Sequence, residues 1–196
     1  MKTDVITVSS AGGQIENALK QAEKVAAYKG LSGKNALHLR LLTEEMMGMM
    51  RSITGETKGQ FWIEDEENVY RLHLLVNTSM SLEKRDQLLA ASTTGKNEAA
   101  RGLMGRLRDF FDQGADVSAL PLYHIEAMGE NTNTPLDWEW SMIEYENMLR
   151  VRADKDEKAR EMWDELEKSV VTHVADDVKV AIRGRQAEMT IIKKMA

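Results

Sequence analysis

Residues 60–77, QFWIEDEENVYRLHLLVN, constrain the fold of this chain more than any other stretch of its sequence. Two apolar-rich segments lie on either side of an acidic turn around Glu66–Asn68, which is the pattern of a β-hairpin. A second such pattern, DVKVAIRGRQAEMTIIKK at 177–194, turns at Gly184–Gln186. The two patterns predict that the chain contains an antiparallel sheet.

A short strand and several helices accompany these hairpins. The strand is predicted at 4–10, where Val5, Ile6 and Val8 alternate with polar residues. Gly30 suits the left-handed position that ends a helix. Helices are predicted at 14–29, about 34–53, 82–91, 97–114, 133–150 and about 154–175.

Helices that alternate with antiparallel hairpins indicate an α+β protein. We predict a two-layer α/β sandwich, in which a mixed, mostly antiparallel sheet is covered on one face by helices. In this interpretation residues 1–196 form a single domain with a helical insertion at 113–153.

The predicted helix at 133–150 has the signature of a helix N-terminus, with Thr134 as the cap and Pro135 at the first helical position. Trp138 begins a row of apolar residues at helical spacing. Trp138 and Trp140 also fit the alternation of a strand, which leaves the start of this helix open.

Composition and charge exclude several kinds of protein. Apolar residues make up 42% of the chain and charged residues 30%, as in ordinary globular proteins. The formal net charge of −6 disfavours nonspecific binding to nucleic acid or to an anionic membrane, because such binding needs a basic surface.

The absence of cysteine removes disulfides and thiol catalysis and fits a reducing compartment. No apolar run reaches the roughly 18 residues of a membrane span, and the first residues lack a secretory signal, so a cytoplasmic protein is expected.

The segment LRLLTEEMMGMMRS at 39–52 combines a helical core pattern with two adjacent glutamates. Glu44 falls opposite the core, four residues after Arg40, and is interpreted as the solvated partner of that arginine. Glu45 falls beside the core, where partial burial costs energy unless the carboxylate is paired or used. A boundary glutamate that reaches water or His38 is the simpler alternative. At about 100° per residue, Met47 lies off a core stripe made of Leu39, Leu42, Met46, Met49, Met50 and Ile53.

LRLLTEEMMGMM resembles the N-box helix of the GHKL, or Bergerat-fold, ATPases, and is most similar to that of anti-sigma-factor serine kinases and histidine-kinase-like ATPase domains. In that family the helix has the form LRLALEEALTNAI, and its second Glu precedes an Asn by four residues. The resemblance places Glu45 on the Glu that acts as general base or orients the nucleophile. It places Met49 on the Asn that helps to hold Mg²⁺, and a thioether is a poor ligand for Mg²⁺.

The order of the predicted elements also resembles that of the small anti-sigma kinases: strand, helix, N-box helix, hairpin, variable lid, helix and final hairpin. LLVNTSMS, at the end of the first hairpin, stands where the family has a strand followed by D-x-G-x-G. The resemblance therefore implies that Asn77 reads the adenine amino group, with Ser79 and Ser81 at the glycine positions. An amide oxygen still accepts a hydrogen bond from an amine, but serine lacks the conformational range of glycine.

TTGKNEAARGLMGRL stands where the family has the glycine-rich end of a lid and the start of a helix. The resemblance implies that Gly95, Lys96 and Gly102 line a phosphate site, which a helix N-terminus with basic side chains favours. A basic, solvated helix with incidental glycines explains the same residues equally well.

Other residues give weaker signals. No Walker A, nucleophile-elbow or Rossmann glycine motif occurs. The aromatic run WEWSMIEY is interpreted as core that would dock a protein if exposed. The four histidines show no ligand spacing and are interpreted as structural, namely His38, His73, His124 and His173.

Two functions follow from the resemblance. The first is a GHKL-type ATP-binding regulatory protein, similar to an anti-sigma serine kinase, with Glu45 as the catalytic residue and a regulatory protein as its partner. ATP is then the cofactor, and loss of the Mg²⁺ ligand weakens or abolishes catalysis. The second is a non-catalytic protein-interaction module that keeps the fold without binding nucleotide. An unrelated α+β domain remains a third alternative, and no metal, nucleic acid or membrane is expected in these interpretations.

Overall fold

The protein is described by a computed structural model that covers residues 1–9, 15–54, 58–77, 138–154, 156–167, 169–183 and 186–195. The predicted α+β fold is confirmed. The two helices predicted at 82–91 and 97–114 lie outside the described residues. The strands are β1 (Ile6–Ser9), β2 (Lys58–Glu66), β3 (Val69–Asn77), β4 (Trp138–Ser141), β5 (Asp177–Arg183) and β6 (Gln186–Lys194). The helices are α1 (Ile15–Lys29), α2 (Gly33–Thr54), α3 (Met142–Arg152), α4 (Glu157–Leu166) and α5 (Val170–Val174).

The six strands form one sheet in the order β1-β2-β3-β6-β5-β4. Every pairing between these described strands is antiparallel, in agreement with the mostly antiparallel sheet expected. Both predicted hairpins are present. Glu67 and Asn68 join β2 to β3 with φ angles of 49° and 63°, as in the two-residue type I′ turn that matches the twist of the flanking strands.

Alternation along the strands divides the sheet into two faces. On the inner face, Phe61, Ile63, Leu72 and Leu74 are at most 1% exposed. The buried residues of α1, α2 and α3 belong to the same hydrophobic cluster, so helices cover this face as predicted. The intervening residues, such as Trp62, are half-buried and lie on the outer face.

Helix α2 packs its methionine-rich side into this core. The expectation that Met47 lies off the core is wrong, since its side chain is 1% exposed. The buried sector is wider than one stripe because α2 contacts α1 and α5 as well as β3 and β6. The predicted stripe itself is confirmed for five residues that are each at most 1% exposed, namely Leu39, Leu42, Met46, Met49 and Met50.

The start predicted for the helix at 133–150 is wrong. Trp138–Ser141 forms β4 at the edge of the sheet, paired with β5, and α3 begins only at Met142. Alternation prevails over helical spacing here because β5 offers an open edge with which this segment can pair its backbone. Part of the predicted insertion at 113–153 therefore belongs to the sheet.

Asp177 fixes the junction between β4 and α3. Its buried carboxylate accepts hydrogen bonds from the backbone N–H groups of Val178 at 2.9 Å and Ile143 at 3.3 Å, and from Ser141 Oγ at 3.2 Å. This carboxylate takes the place of a capping side chain for α3, because Ser141 at the N-cap position makes no side-chain capping bond. Burial raises the pKa of Glu146 in α3, and the charge of Asp177 adds to that effect.

The charged segment at 154–175 forms two helices, α4 and α5, instead of the single helix predicted. Thr172 Oγ1 donates hydrogen bonds to the carbonyl oxygens of Leu166 at 3.0 Å and Ser169 at 2.7 Å. These bonds hold the turn between the two helices and give α5 a new direction against α2.

Asp177→Ala should destabilise the protein by about 1–2 kcal/mol, because it removes the cap of α3 and leaves buried donors without an acceptor. Asp177→Asn keeps an acceptor oxygen and should lose less. Urea unfolding followed by tryptophan fluorescence measures both variants. An alanine variant as stable as the wild type would contradict the capping role.

Candidate functional site

Glu45 lies on the flank of α2, half-buried as its position on the helix predicts. Glu44, its neighbour, is exposed, and Arg40 pairs with Glu23 of α1 instead of with Glu44. Met49 follows Glu45 by about one turn and is 1% exposed. The position that the resemblance assigns to a metal ligand is therefore part of the hydrophobic core.

Asn77 is the last residue of β3, and it is exposed. Its register partner is Gln186 of β6, whose Nε2 donates a hydrogen bond to Asn77 Oδ1 at 3.2 Å. The preceding pair, Val76 and Ala187, is buried on the inner face. Since successive side chains of a strand point to opposite faces, Asn77 belongs to the outer face.

The structure therefore does not bring Glu45 and Asn77 together. Glu45 stands on a helix that covers the inner face, whereas Asn77 belongs to the outer one. Their predicted roles as base and adenine contact need both side chains in one cleft. The other predicted nucleotide-binding residues lie outside the described residues, namely Ser79, Ser81, Gly95, Lys96 and Gly102.

Sequence reasoning missed a group of polar side chains on the outer face, which we call the His73 cluster and which consists of Lys2, Trp62, Glu64, His73, Glu188 and Thr190. The rings of Trp62 and His73 are stacked, with centroids 4.8 Å apart and planes inclined by 3°. The Lys2 ammonium lies 5.3 Å from the centre of the Trp62 ring, within the range of a cation–π contact. The cluster thus joins side chains from the N-terminal segment, β2 and β3.

Glu64 links the members of the cluster on one side of His73. One carboxylate oxygen accepts from Lys2 Nζ and from Trp62 Nε1, each at 3.0 Å. The other lies 3.7 Å from His73 Nε2. The hydrogen bond from Lys2 is the main reason why the pKa of Glu64 is lowered, and the bond from Trp62 adds to it. Glu64 therefore stays ionised at neutral pH.

His73 lies between two carboxylates and nevertheless favours its neutral form. Its Nδ1 is 3.3 Å from Glu188 Oε1 and 3.2 Å from Thr190 Oγ1. Because a carboxylate only accepts, a neutral ring with its proton on Nδ1 satisfies Glu188. Burial lowers the pKa of His73 by more than Glu64 and Glu188 raise it. The side chain is only 12% exposed, so the cost of burying a charge explains this balance.

The sequence contained one signal for this cluster. Side chains alternate between the two faces along β3, so the sequence was sufficient to predict that His73 lies on the outer face. Its partners come from β2 and β6, and the pairing of β3 with β6 joins residues more than a hundred positions apart. The sequence near His73 therefore gave no indication of the side chains that surround it.

A buried carboxylate on the inner face has a structural role. Asp65 is 4% exposed and pairs with Lys29 at the end of α1. The hydrogen bond to Asp65 is the main reason why the pKa of Lys29 is raised, and burial is the main reason why that of Tyr70 is raised. These contacts tie α1 to the β2–β3 hairpin.

The described part of the chain lacks two features, a metal-binding group and a membrane span. No group of three His, Asp or Glu side chains is arranged there to hold a metal ion. No helix in the described ranges is long and apolar enough to cross a membrane.

Replacing His73 by phenylalanine should reduce the loss of stability on acidification. With a pKa in the folded state below the unfolded value of about 6.5, His73 binds its proton more readily in the unfolded chain. Its contribution is then fully present above about pH 6.5 and is lost as the pH falls through the folded-state pKa. Phenylalanine keeps the stack on Trp62 but does not titrate.

Urea unfolding at pH 7.5 and pH 5.5 measures this difference. Leu75→Phe is the matched control, because it adds a ring on the same face of β3 and keeps the imidazole of His73. Equal pH dependence of wild type and His73→Phe would contradict the description of His73 as a buried neutral histidine.

Comparison of the chain with known protein families, with curated proteins and with solved structures gives no match.

Proposed function

We propose that this chain is a cytoplasmic regulatory module with a histidine-kinase-like arrangement that binds a protein partner and has no Mg²⁺-dependent phosphoryl transfer. The observation that carries this proposal is the burial of Met49, which is 1% exposed. Phosphoryl transfer relies on metal ions and on positioning more than on covalent chemistry by the protein. Loss of the metal ligand therefore impairs catalysis more than it impairs the binding of a partner.

Two physical reasons support the absence of a metal ligand at Met49. Mg²⁺ takes oxygen ligands in near-octahedral geometry and keeps several waters, which a methionine side chain in a packed core does not provide. Met46 and Met50 flank it on the same side of α2 and are fully buried. A metal at this place would require the core itself to open.

The family part of the proposal rests on the order of elements. The described chain has a strand, two helices, a hairpin and a final hairpin in the order expected of the small anti-sigma kinases. Residues 138–174 add an edge strand and three helices before the final hairpin. An arrangement of this kind can persist after its chemistry is lost, since fold and function vary independently.

A protein is the partner that the charge favours. The formal net charge of −6 repels the phosphates of nucleic acid and the headgroups of anionic lipid. The side chain of Tyr28 is 80% exposed. Tyrosine is one of the residue types that protein interfaces use as anchors.

Binding of ATP without metal is the second candidate. Its basis is the resemblance of α2 to the N-box helix, in which Glu45 takes the position of the family's Glu and lies half-buried on the flank of the helix. The position of Asn77 is evidence against it, since the side chain of Asn77 belongs to the opposite face of the sheet. Nucleotide binding would then not depend on Asn77.

Isothermal titration of ATP and of ADP, with and without Mg²⁺, separates the two functions. The proposal expects no heat of binding and no thermal shift at millimolar nucleotide. Glu45→Gln and Asn77→Ala serve as matched variants. Micromolar binding that both Mg²⁺ and Glu45 strengthen would overturn the proposal, whereas Mg²⁺-independent binding would support the second candidate.

Restoring the family residue at position 49 should damage the protein and not create a metal site. Met49→Asn buries an amide among methionines and should cost about 2–4 kcal/mol, since an unpaired polar group and a cavity are both introduced. Met49→Leu keeps the volume and should cost less than about 1.5 kcal/mol. Urea unfolding measures both variants, with and without Mg²⁺. An asparagine variant that is stabilised by Mg²⁺–ATP would contradict the assignment of Met49 to the core.

A further inference from the structure

A groove of about 540 Å³ runs between the N-terminal segment and α1, and we call it the β1 groove. Its two walls consist of different kinds of structure, an extended backbone on one side and one stripe of a helix on the other. The lining residues are Met1, Lys2, Thr3, Asp4 and Ile6 on the strand side, and Asn17, Lys20, Gln21, Lys24, Val25 and Tyr28 on the helix side.

The strand wall is held firmly in place. The backbone N–H of Thr3 donates to the carbonyl of Ile63 at 2.9 Å, and the N–H of Asp65 donates to the carbonyl of Met1 at 2.8 Å. Gln21 of α1 donates from Nε2 to the carbonyl of Asp4 at 2.7 Å. The groove is therefore preformed, which lowers the entropic cost of binding.

Strand β1 is the outermost strand of the described sheet on this side. It pairs with β2 along one edge, and the described part of the chain places no strand along the other edge. An edge of this kind offers backbone N–H and C=O groups to an added strand, except at the carbonyl of Asp4, which accepts from Gln21. An extended polypeptide is the ligand that this wall suits.

The helix wall sets the spacing of the side chains that such a ligand needs. Asn17, Lys20, Lys24 and Tyr28 follow one another at three or four residues, so they form one stripe about 16 Å long. Lys20 and Lys24 are separated by about 6 Å along the helix axis. Alternate residues of an extended strand are separated by roughly 6.6 Å. The three side chains on one face of a five-residue strand therefore match the spacing of Lys20, Lys24 and Tyr28.

The charge of the helix wall is opposite to that of the whole chain. Lys20 and Lys24 project from a protein of formal net charge −6. Lys20 pairs with Glu16 of the same helix at 3.5 Å, and both side chains are more than 60% exposed, so this weak pair is easily exchanged for a stronger partner. Tyr28 follows Lys24 by one turn and is 80% exposed.

We propose that the β1 groove binds an extended acidic segment of a partner protein, which lies along the N-terminal segment and the start of β1. The segment carries carboxylates at two alternate positions, opposite Lys20 and Lys24, and an apolar residue at the next alternate position, against Tyr28. This inference rests on the proposed partner-binding function and names the surface and the kind of sequence involved.

Titration of the ¹⁵N-labelled full chain with synthetic peptides tests the inference. The probes are the capped peptide Thr-Glu-Thr-Glu-Thr-Leu-Thr and its reversed sequence, because the strand can add in either direction. We expect the amide signals of β1 and of α1 between Asn17 and Tyr28 to shift with millimolar peptide. A peptide with lysine in place of glutamate, and one methylated at alternate amides, should bind at least about tenfold more weakly.

Charge reversal on the protein provides the matched control. Lys20→Glu combined with Lys24→Glu should weaken binding by about tenfold or more. Lys34→Glu combined with Lys194→Glu changes the net charge equally but lies outside the groove lining, and it should retain the affinity of the wild type. Equal weakening by both pairs would reduce the effect to net charge and overturn the inference.

Two further outcomes would also overturn it. One is the absence of shifts in β1 and α1 with either peptide. The other is a dimer in sedimentation that the Lys20 and Lys24 reversal dissociates, because the groove would then be an interface between copies of this chain. If the peptides cause no shifts and the calorimeter shows no nucleotide binding, only the assignment of the groove is wrong. If Mg²⁺–ATP binds in the calorimeter and the peptides still shift the signals of β1 and α1, only the proposed function is wrong.

Discussion

The rest of the structure depends on the burial of one broad side of α2 against the inner face of the sheet. Met46, Met47, Met49 and Met50 are each at most 1% exposed, so a broad side of the helix belongs to the core. Burial of a side chain of this size stabilises the protein by about 1.5–3 kcal/mol, and the flexible thioether fills irregular gaps between α1, α5 and the strands. The same burial places Met49, the position that the resemblance assigns to a Mg²⁺ ligand, inside the core.

Because successive side chains of a strand point to opposite faces, the polar side chains of the sheet are divided between its inner and outer faces. Side chains that face inward build the core, and Asp65 is held there by Lys29. Side chains that face outward build the His73 cluster, in which burial keeps an imidazole neutral between two carboxylates. Asn77 belongs to the outward set, so the sheet separates it from Glu45.

The two hairpins, α1, α2 and the core stripe were predictable because they depend on local periodicity. Glu67 and Asn68 form the turn that their composition favours. The errors arise where distant residues decide the outcome. Trp138 joins a strand because β5 lies beside it, Asp177 caps α3 from the neighbouring strand β5, and Met47 is buried because neighbouring helices cover it. For the site, the alternation of side chains along β3 predicted the face on which His73 lies but not its partners. The resemblance to the N-box helix predicted the position of Glu45 on α2 but not the face of the sheet to which Asn77 belongs.

Paramagnetic broadening by Mn²⁺–ATP tests the central claim most directly, because Mn²⁺ replaces Mg²⁺ in such sites and broadens only the signals of nearby nuclei. The measurement uses the ¹⁵N-labelled full chain at millimolar nucleotide. The account predicts that the amide signals of α2 around Glu45 and Met49 keep their intensity, as those of a packed core helix should. Selective broadening of these signals that excess Mg²⁺ reverses would show a metal–nucleotide site at α2 and contradict the account.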